Sequence, residues 1–538
     1  MLRRLVPSLL AVVLAACGTS TETSPAVPTA EVPAPPAAAN DPTLAVTAEG
    51  PLRGVEVASG TRTWKGIPYA SPPIGDLRFR VPAEVAPWTD ERPATAYASG
   101  CMQIDERRRA VGSEDCLYLN VWSPPAAKTE KLPVLFWIHG GDNVIGAASE
   151  PWYEATQLAE RANAVVVTIN YRLGAFGWLA HPAFAGENAE RVKGGATGNY
   201  GLHDAIAALS WVQRNIAVFG GDASKVLVFG QSAGASNTCA LVASPLARGL
   251  FSRAMMLSLA CHVVGDHGVE STNEVVERKL GCAGAPDVAA CFRSKTAKEI
   301  ASVPGASLVP TEEVADYYET VDGWAVPEHP EATLAKGAHS KMPMILGTTK
   351  DEYASIIDLI LHEAVDTEAQ YASVLERWYG PRPSARILAK YPFASFIDGR
   401  AAMTAILSDS VMHCPTRRAA RAAARSQSEP VYRYLFAQVP TKGPASVNGA
   451  AHGVDVDYVF RFPAPVVGID PTSDDEKASD ALIASIARFA RDGSPENASA
   501  IAWPRYDASE PIAIVAATTT TPPITSADRC DLWDELGM

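Results

Sequence analysis

The chain has 538 residues, of which 47% are hydrophobic and 20% are charged, and its formal net charge is -14. This length and composition allow a large buried core, as one large α/β domain or two ordinary ones, and they exclude a disordered or fibrous protein. The negative charge argues against a nucleic-acid partner, because phosphate binding needs clustered lysine and arginine side chains. One arginine-rich stretch, residues 417–425, has alanines between its arginines and is interpreted as a solvated helix face.

The first 43 residues are predicted to be an export signal followed by a tether. Residues 1–16 have two arginines before an apolar run that ends in small residues, a secretory signal pattern too short to span a bilayer. The sequence LAAC, ending at Cys17, resembles a bacterial lipobox, which makes Cys17 the predicted lipidation site. An ordinary signal peptide cut elsewhere is the alternative. Residues 17–43 are rich in proline, alanine and threonine, so we expect a disordered tether.

The predicted localisation is therefore outside the cytoplasm, with a lipid anchor to a bacterial membrane. The residue after Cys17 is Gly18, rather than the aspartate that often marks retention at the inner membrane. For a Gram-negative source this favours the outer membrane, with the folded part on its periplasmic or cell-surface side.

Residues 44–538 are treated as one domain, in which short strands alternate with helical patterns. Buried-type strands, rich in β-branched and aromatic residues, are predicted over 134–138, 165–169, 226–229, 344–346 and 431–435. Between them lie amphipathic helical patterns, of which 203–215 is a clear example. This alternation predicts an α/β fold with a mostly parallel central sheet that helices cover on both faces, with long insertions.

Three of the predicted strands end in residues that could carry out chemistry, and ligands bind at the carboxyl ends of strands in such sheets. One strand is followed by His139, Gly140, Gly141 and Asp142, and another by a G-x-S-x-G sequence centred on Ser232. A third leads into the sequence GTTKDE. A strand, a G-x-S-x-G turn and a helix form the context of a nucleophile elbow, where glycines relieve a strained turn. Ser232 is therefore the predicted nucleophile.

A serine hydroxyl is a weak nucleophile and needs a histidine base that is held by a carboxylate. In α/β-hydrolases these residues follow in the order serine, acid, histidine, which places the base after Ser232. The histidines in that part of the chain are His262, His267, His329, His339, His362, His413 and His452. His452 has small neighbours and follows a predicted strand, so it is the preferred base. Glu352, which we expect to terminate its strand, is the preferred acid, with Asp351 as the alternative.

A tetrahedral oxyanion needs preorganised N–H donors. The turn at Gly140, Gly141 and Asp142 supplies two candidate amides, and the N–H of Ala233 is a third.

Nine cysteines fit an oxidising compartment, and eight remain once Cys17 is assigned to lipid. Short spacings suggest two disulfides, Cys101–Cys116 and Cys282–Cys291. Cys414–Cys530 would close a long loop, and Cys239–Cys261 is the pairing left over. The sequence alone permits many other connectivities.

Separated motifs from about Gly54 to Leu532 resemble the type-B carboxylesterase family of α/β-hydrolases, which includes the cholinesterases. The motifs lie at residues 64–79, 114–122 (EDCLYLNVW), 170–179, 198–204, 219–222, 452–460, 489–497 and 503–506. The resemblance implies hydrolysis of a small-molecule carboxylic ester through an acyl-enzyme, without a metal or cofactor. It also supports three of the disulfides and leaves Cys239–Cys261 uncertain.

When the catalytic positions of the family are placed on this sequence, the resemblance implies the same residues that the strand ends and the chain order indicated. Ser232 is the implied nucleophile, Glu352 the acid and His452 the base. The implied oxyanion donors are the backbone N–H groups of Gly141, Asp142 and Ala233.

The sequence departs from the family at three places. Gln231 stands before the nucleophile where the family usually has glutamate, which removes a negative charge and disfavours cationic substrates. The loop between Cys101 and Cys116 has no aromatic residue, so it offers no cation–π platform and cholinesterase activity is rejected. Asp142 replaces a common third glycine, and its carboxylate would oppose an oxyanion unless it is turned away or paired.

Two alternative functions are also compatible with the sequence. The rival function is a catalytically silent surface-binding protein on the same fold, and hydrolysis of amides or carbamates is an alternative within the enzymes. The natural substrate and the oligomeric state are not predicted.

Overall fold

The computed structural model describes residues 41–105, 107–186, 195–263, 265–305, 314–463, 469–497, 501–517 and 527–537. The predicted signal peptide, Cys17 and the tether up to residue 40 lie outside these ranges. Within them no helix combines the length and the apolar composition needed to cross a bilayer.

The strands are β1 (Leu44–Val46), β2 (Pro51–Arg53), β3 (Val55–Glu56), β4 (Arg62–Pro68), β5 (Arg92–Pro93), β6 (Gln103–Ile104), β7 (Ala110–Val111), β8 (Tyr118–Ser123), β9 (Leu132–Ile138), β10 (Val165–Ile169), β11 (Gly221–Gln231), β12 (Arg253–Leu257), β13 (Met344–Thr349), β14 (Val431–Phe436) and β15 (Ala513–Val515). The helices are α1 (Thr156–Ala162), α2 (Gly174–Trp178), α3 (Tyr200–Asn215), α4 (Ala233–Ala243), α5 (Asp266–Leu280), α6 (Val288–Ser294), α7 (Ala297–Ala301), α8 (Pro330–Lys336), α9 (Ile357–Ile360), α10 (Glu368–Tyr379), α11 (Pro381–Lys390), α12 (Gly399–Leu407), α13 (Cys414–Ser426), α14 (Val454–Phe460), α15 (Ser473–Asp492) and α16 (Ala527–Leu536). A π-helical turn, Ser408–His413, joins α12 to α13.

A large mixed sheet organises the molecule. In the described ranges its ten strands have the order β15-β14-β13-β12-β11-β9-β10-β8-β4-β3. The strands from β9 to β15 are mutually parallel, and the β8, β4 and β3 edge is antiparallel. All five predicted strands are present in this sheet, which confirms the predicted α/β architecture.

The central strands are buried on both faces because their side chains alternate between two cores. In β9, Val134, Phe136 and Ile138 join the core on one side, and Leu135 and Trp137 join the core on the other. The first core contains side chains of α3 and α4, and the second contains side chains of α1 and α15. This two-sided burial explains why these strands are continuous apolar runs in the sequence.

A third apolar cluster lies in the helical region between β13 and β14. It includes buried side chains of α10, α11 and α12, together with Trp533 of α16. The disulfide Cys414–Cys530 joins the start of α13 to α16. The other disulfides in the described residues are Cys101–Cys116, Cys239–Cys261 and Cys282–Cys291, the same pairs that the sequence suggested.

The interpretation of residues 417–425 as a solvated helix face is wrong for Arg417. This side chain of α13 is only 3% exposed. Its Nε lies 2.6 Å from Glu510, and its Nη1 lies 2.8 Å from Asp531 of α16. The arginines of α13 therefore pair with acids near the C-terminus of the chain and help to hold it in place, because a buried cation needs paired partners.

Candidate active site

Ser232 lies at a sharp turn between β11 and α4. Its φ of 56° and ψ of -126° form a strained conformation for a residue with a side chain. A Cβ on Gly230 would lie 2.3 Å from the carbonyl oxygen of Gly234. A Cβ on Gly234 would lie 2.1 Å from the carbonyl oxygen of Ile138. The glycines therefore let the helix start pack against β9, which fixes Ser232 at the carboxyl end of the sheet.

His452 and Glu352 meet at this end of the sheet, although they are 100 residues apart. Nδ1 of His452 lies 2.6 Å from Oε2 of Glu352. Because a carboxylate only accepts hydrogen bonds, Nδ1 carries the proton and Nε2 of the neutral ring carries a lone pair. The other carboxylate oxygen, Oε1, accepts a hydrogen bond from the N–H of Thr349 at 2.8 Å. These contacts fix the tautomer that a general base requires.

Burial and pairing act in opposite directions on the pKa values of Glu352 and His452. Glu352 is fully buried, which by itself raises its pKa, but the charge and hydrogen bond of His452 outweigh burial and hold that pKa below its usual value. Burial likewise lowers the pKa of His452, but the charge and hydrogen bond of Glu352, together with the charges of Asp455 and Asp142, outweigh burial and raise that pKa. Asp351, the alternative acid, instead accepts a hydrogen bond from the N–H of Ala450 at 3.0 Å. Glu352 therefore contacts the imidazole of His452, whereas Asp351 holds the loop that precedes His452.

The structure also corrects where Glu352 lies. We expected it to terminate the strand, but β13 ends at Thr349 and Glu352 follows in a turn. This turn lets the carboxylate fold back onto the N–H of Thr349.

His413 supports the same turn, a role that the sequence did not reveal. Its Nε2 donates to the carbonyl oxygen of Thr349 at 2.8 Å, and its Nδ1 lies 2.9 Å from Asp409. Burial disfavours the charged ring, but Asp409, together with Glu352 and the Thr349 carbonyl, outweighs burial and raises the pKa of His413. The spacing of Asp409 and His413 by four residues in a helical segment was the available signal.

The turn after β9 presents backbone amides next to Ser232. Gly141, Asp142 and Asn143 all have positive φ, at 105°, 58° and 56°. Within the described part of the chain, the N–H groups of Gly141, Asp142 and Ala233 have no hydrogen-bond acceptor. A Cβ on Gly140 would lie 3.1 Å from the Cβ of Ser232, so the turn runs close beside this residue. Free amides at such a position suit a developing oxyanion.

Comparisons of the sequence and the fold with known proteins identify the family of this chain. The model of the carboxylesterase family matches residues 40–533. The chain belongs to the carboxylesterase family. Among its relatives, the fumonisin B1 esterase of Sphingopyxis macrogoltabida is 34% identical over 476 residues, or 86% of this chain and 84% of the relative. The para-nitrobenzyl esterase of Bacillus subtilis (strain 168) is 32% identical over 483 residues, or 86% and 92% of the two chains.

A solved structure of a PNB esterase is similar to most of this carboxylesterase. The TM-score is 0.77 at 30% sequence identity, and the match covers 92% of this chain and 100% of the solved chain. These similarities confirm the predicted α/β-hydrolase fold and the predicted reaction, hydrolysis of carboxylic esters.

Asp142 is the first of two unusual residues in the esterase site. The hydroxyl of Tyr318 donates to its Oδ1 at 2.6 Å, so the carboxylate is paired. Burial raises the pKa of Asp142 to about 6, although the hydrogen bond of Tyr318 lowers it. Asp142 is therefore mostly ionised above pH 6, beside the free amides of the turn. Nothing in the sequence around Tyr318 indicated this contact.

Gln231 is the second unusual residue, and it touches the base directly. Its Nε2 lies 3.0 Å from Nε2 of His452. In the described residues, Ser232 Oγ forms no hydrogen bond with His452. The sequence predicted an effect of Gln231 through charge alone, because the spacing cannot show which side chain reaches the imidazole.

A cavity of about 370 Å³ opens beside His452 and Gln231. Its walls include Trp152, Tyr153 and Asp457. Burial, with a further contribution from Asp455, raises the pKa of Asp457 to about 8, so this acid is largely uncharged at neutral pH. The two aromatic rings of this cavity lie outside the loop between Cys101 and Cys116, and no sequence pattern indicated their place beside the base.

Proposed function

We propose that Ser232 is the nucleophile of this carboxylesterase, His452 its general base and Glu352 the acid that orients the base. The observation that carries the proposal is the 2.6 Å hydrogen bond between His452 Nδ1 and Glu352 Oε2, at the same end of the sheet as the strained serine turn. The bond leaves Nε2 of the neutral ring as the acceptor for the serine proton.

The reaction follows from these positions. Ser232 Oγ attacks the ester carbonyl while its proton passes to Nε2 of His452, and the carbonyl oxygen becomes an oxyanion. The N–H groups of Gly141, Asp142 and Ala233 stabilise that charge. The imidazolium then protonates the departing alcohol as its C–O bond breaks. Water repeats the sequence on the acyl-enzyme, which releases the acid and returns the proton to Ser232.

The substrate class that fits best is an uncharged ester with an apolar or aromatic group. Trp152, Tyr153, Val454 and Val456 line the cavity beside the base, and its acid, Asp457, is largely uncharged at neutral pH. One relative carries the name of a para-nitrobenzyl esterase, which is consistent with an ester that has an aromatic group. A panel of p-nitrophenyl esters with acyl chains of increasing length would map the preference.

Replacing Ser232 by alanine tests the proposed catalytic role. We expect hydrolysis of p-nitrophenyl butyrate by the purified variant to fall at least about a thousandfold, because no other group forms the acyl-enzyme. Ser210→Ala is the matched control, since Ser210 lies in α3, where its hydroxyl donates to the carbonyl oxygen of Ile206. If Ser232→Ala retains the activity of the control, the proposed mechanism is wrong.

We also propose that the esterase is an exported lipoprotein, anchored at Cys17 through the tether over residues 17–43. Support comes from the signal pattern of residues 1–16 and from the disulfides, which are typical of oxidising compartments. Tritiated palmitate should label the wild-type protein but not Cys17→Ala in the native host. Equal labelling of both proteins, or of neither, would contradict lipidation at Cys17.

A further inference from the structure

The Gln231 side chain lies in a narrow slot between the turn after β9 and the base. Gln231 is 7% exposed. A Cβ on Gly140 would lie 2.8 Å from its Oε1, and a Cβ on Gly453 would lie 3.6 Å from its Nε2. Glycine on both sides therefore leaves just enough room for the carboxamide, whose Nε2 is 3.0 Å from Nε2 of His452.

The direction of this hydrogen bond follows from the other side of the ring. His452 Nδ1 donates its proton to Glu352, so Nε2 of the neutral imidazole is an acceptor. Only the N–H₂ end of the Gln231 carboxamide complements that lone pair. The amide oxygen would complement the protonated ring instead.

The lone pair that Gln231 occupies is the same one that must accept the proton of Ser232. We infer that Gln231 is a positioning residue for the base: its N–H holds His452 Nε2 in the substrate-free enzyme and must release it before Ser232 can react. The inference rests on the proposed role of the triad. It goes beyond that role because it assigns the resting state of the base to a residue outside the triad.

Three carboxyl groups act electrostatically on His452 and favour the protonated ring. They are Glu352 from the turn after β13, Asp455 from α14 and Asp142 from the turn after β9. Tyr153 and Asp457 line the same cavity and carry little negative charge at neutral pH. Gln231 acts in the opposite sense, because a hydrogen bond to the neutral ring stabilises the neutral ring.

The test is the pH dependence of kcat/KM for p-nitrophenyl butyrate, whose acidic limb reports the base of the free enzyme. Gln231→Met keeps the length of the side chain but removes the donor. We expect its acidic limb to move to higher pH by up to about one unit, the size of an ordinary hydrogen bond. We also expect its plateau value to rise roughly two- to tenfold, because Ser232 no longer competes for Nε2.

Gln231→Glu should shift the acidic limb further than Gln231→Met does. A carboxylate 3 Å from the ring stabilises the imidazolium, so its acidic limb should move up by about one unit or more. Gln438→Met is the matched control, since the amide of this buried glutamine bonds to Asp475 of α15. Its acidic limb should coincide with that of the wild type.

Two results would overturn the inference while Ser232→Ala remains inactive and the triad proposal stands. The first is a limb for Gln231→Met that moves to lower pH, which would mean that the amide oxygen supports the imidazolium. The second is a lower plateau with an unmoved limb, which would indicate a structural role only. If neither variant folds, titration of ¹⁵N-histidine-labelled wild-type protein decides: a neutral His452 Nε2 without a hydrogen-bonded signature would also contradict the inference.

Discussion

At the scale of single residues, the site depends on how each charge is paired. Glu352 keeps its charge while fully buried because it has two donors, His452 Nδ1 and the N–H of Thr349. Asp142 has Tyr318 as a partner, and burial raises its pKa to about 6. The Asp142 carboxylate is therefore the one charge in the turn after β9 that works against the oxyanion when the enzyme operates above pH 6.

Removing the charge of Asp142 should keep or raise ester turnover at alkaline pH. Asp142→Asn keeps the shape of the residue and suits its φ of 58°, and Asp142→Gly restores an open turn. The ratio of variant to wild-type kcat should be near one at pH 5, where Asp142 is mostly protonated. At pH 8 the ratio should stay near one or rise up to about tenfold, because the Asp142 carboxylate of the wild type is then ionised and repels the oxyanion. Parallel pH profiles of kcat would provide the check.

A fall of a hundredfold or more at pH 8 would show that the aspartate has a positive role. Tyr318→Phe provides a control, because loss of its hydroxyl removes the hydrogen bond that lowers the pKa of Asp142. The pH at which Asp142 becomes inhibitory should then rise.

At the scale of elements, the elbow depends on the close approach of α4 to β9. The helix begins directly after Ser232. A Cβ at position 234 would lie only 2.1 Å from the carbonyl oxygen of Ile138, so the backbones of α4 and β9 are in close contact there. This contact couples the nucleophile to the strand that carries the oxyanion turn. The two parts of the site therefore keep their relative positions through backbone packing.

Gly234→Ala should uncouple these elements. The added Cβ would lie 2.1 Å from the Ile138 carbonyl oxygen, so the backbone must shift. We expect either no folded protein or at least about a hundredfold loss of activity, the scale reached by misplacing reacting groups by about 1 Å. Gly265→Ala is the control, since a Cβ there meets no atom within 4 Å. Circular dichroism and ester hydrolysis would be measured on both variants, and wild-type activity in Gly234→Ala would contradict the proposed packing.

The elements could be predicted from the sequence because local signals coincide with burial. The predicted strand 165–169 matches β10, since each of its residues is apolar or β-branched and buried. The strand predicted over 344–346 extends to Thr349, because two buried threonines continue it and composition does not separate them from a loop. The burial of Arg417 was not predictable, since its partners Glu510 and Asp531 lie 93 and 114 residues away in sequence.

The residues of the candidate site also fall into those that the sequence could indicate and those that it could not. Turn chemistry and chain order pointed to Ser232, and small neighbours pointed to His452, so these residues could be selected from the sequence. The contacts of Gln231 with His452 and of Tyr318 with Asp142 join distant parts of the chain, 221 and 176 residues apart. No local pattern encodes such contacts.

At the scale of the whole molecule, buried acids give stability an unusual pH dependence. Burial raises the pKa of Asp455 to about 7 and those of Asp457 and Glu319 to about 8. In the unfolded chain such groups titrate near pH 4. The folded state therefore binds more protons between pH 4 and 8, and the free energy of unfolding falls as the pH rises through this window.

Asp457→Asn should remove part of this dependence. Relative to the wild type, the variant should gain one to a few kcal/mol of unfolding free energy at pH 8 compared with pH 5, since the asparagine has no proton to lose. Urea unfolding at the two pH values measures the difference. Asp470→Asn alters an exposed acid and should show no such change. Equal effects of Asp457→Asn at both pH values would contradict a protonated, buried Asp457.

The central claim is that Ser232 forms the covalent intermediate of an ester hydrolase. The most direct measurement is mass spectrometry of the purified protein after inactivation with a p-nitrophenyl phosphonate. We predict one phosphonyl group per chain, located on Ser232 and formed in step with the loss of esterase activity. Loss of activity with the adduct on another residue, or full activity with Ser232 modified, would contradict the claim.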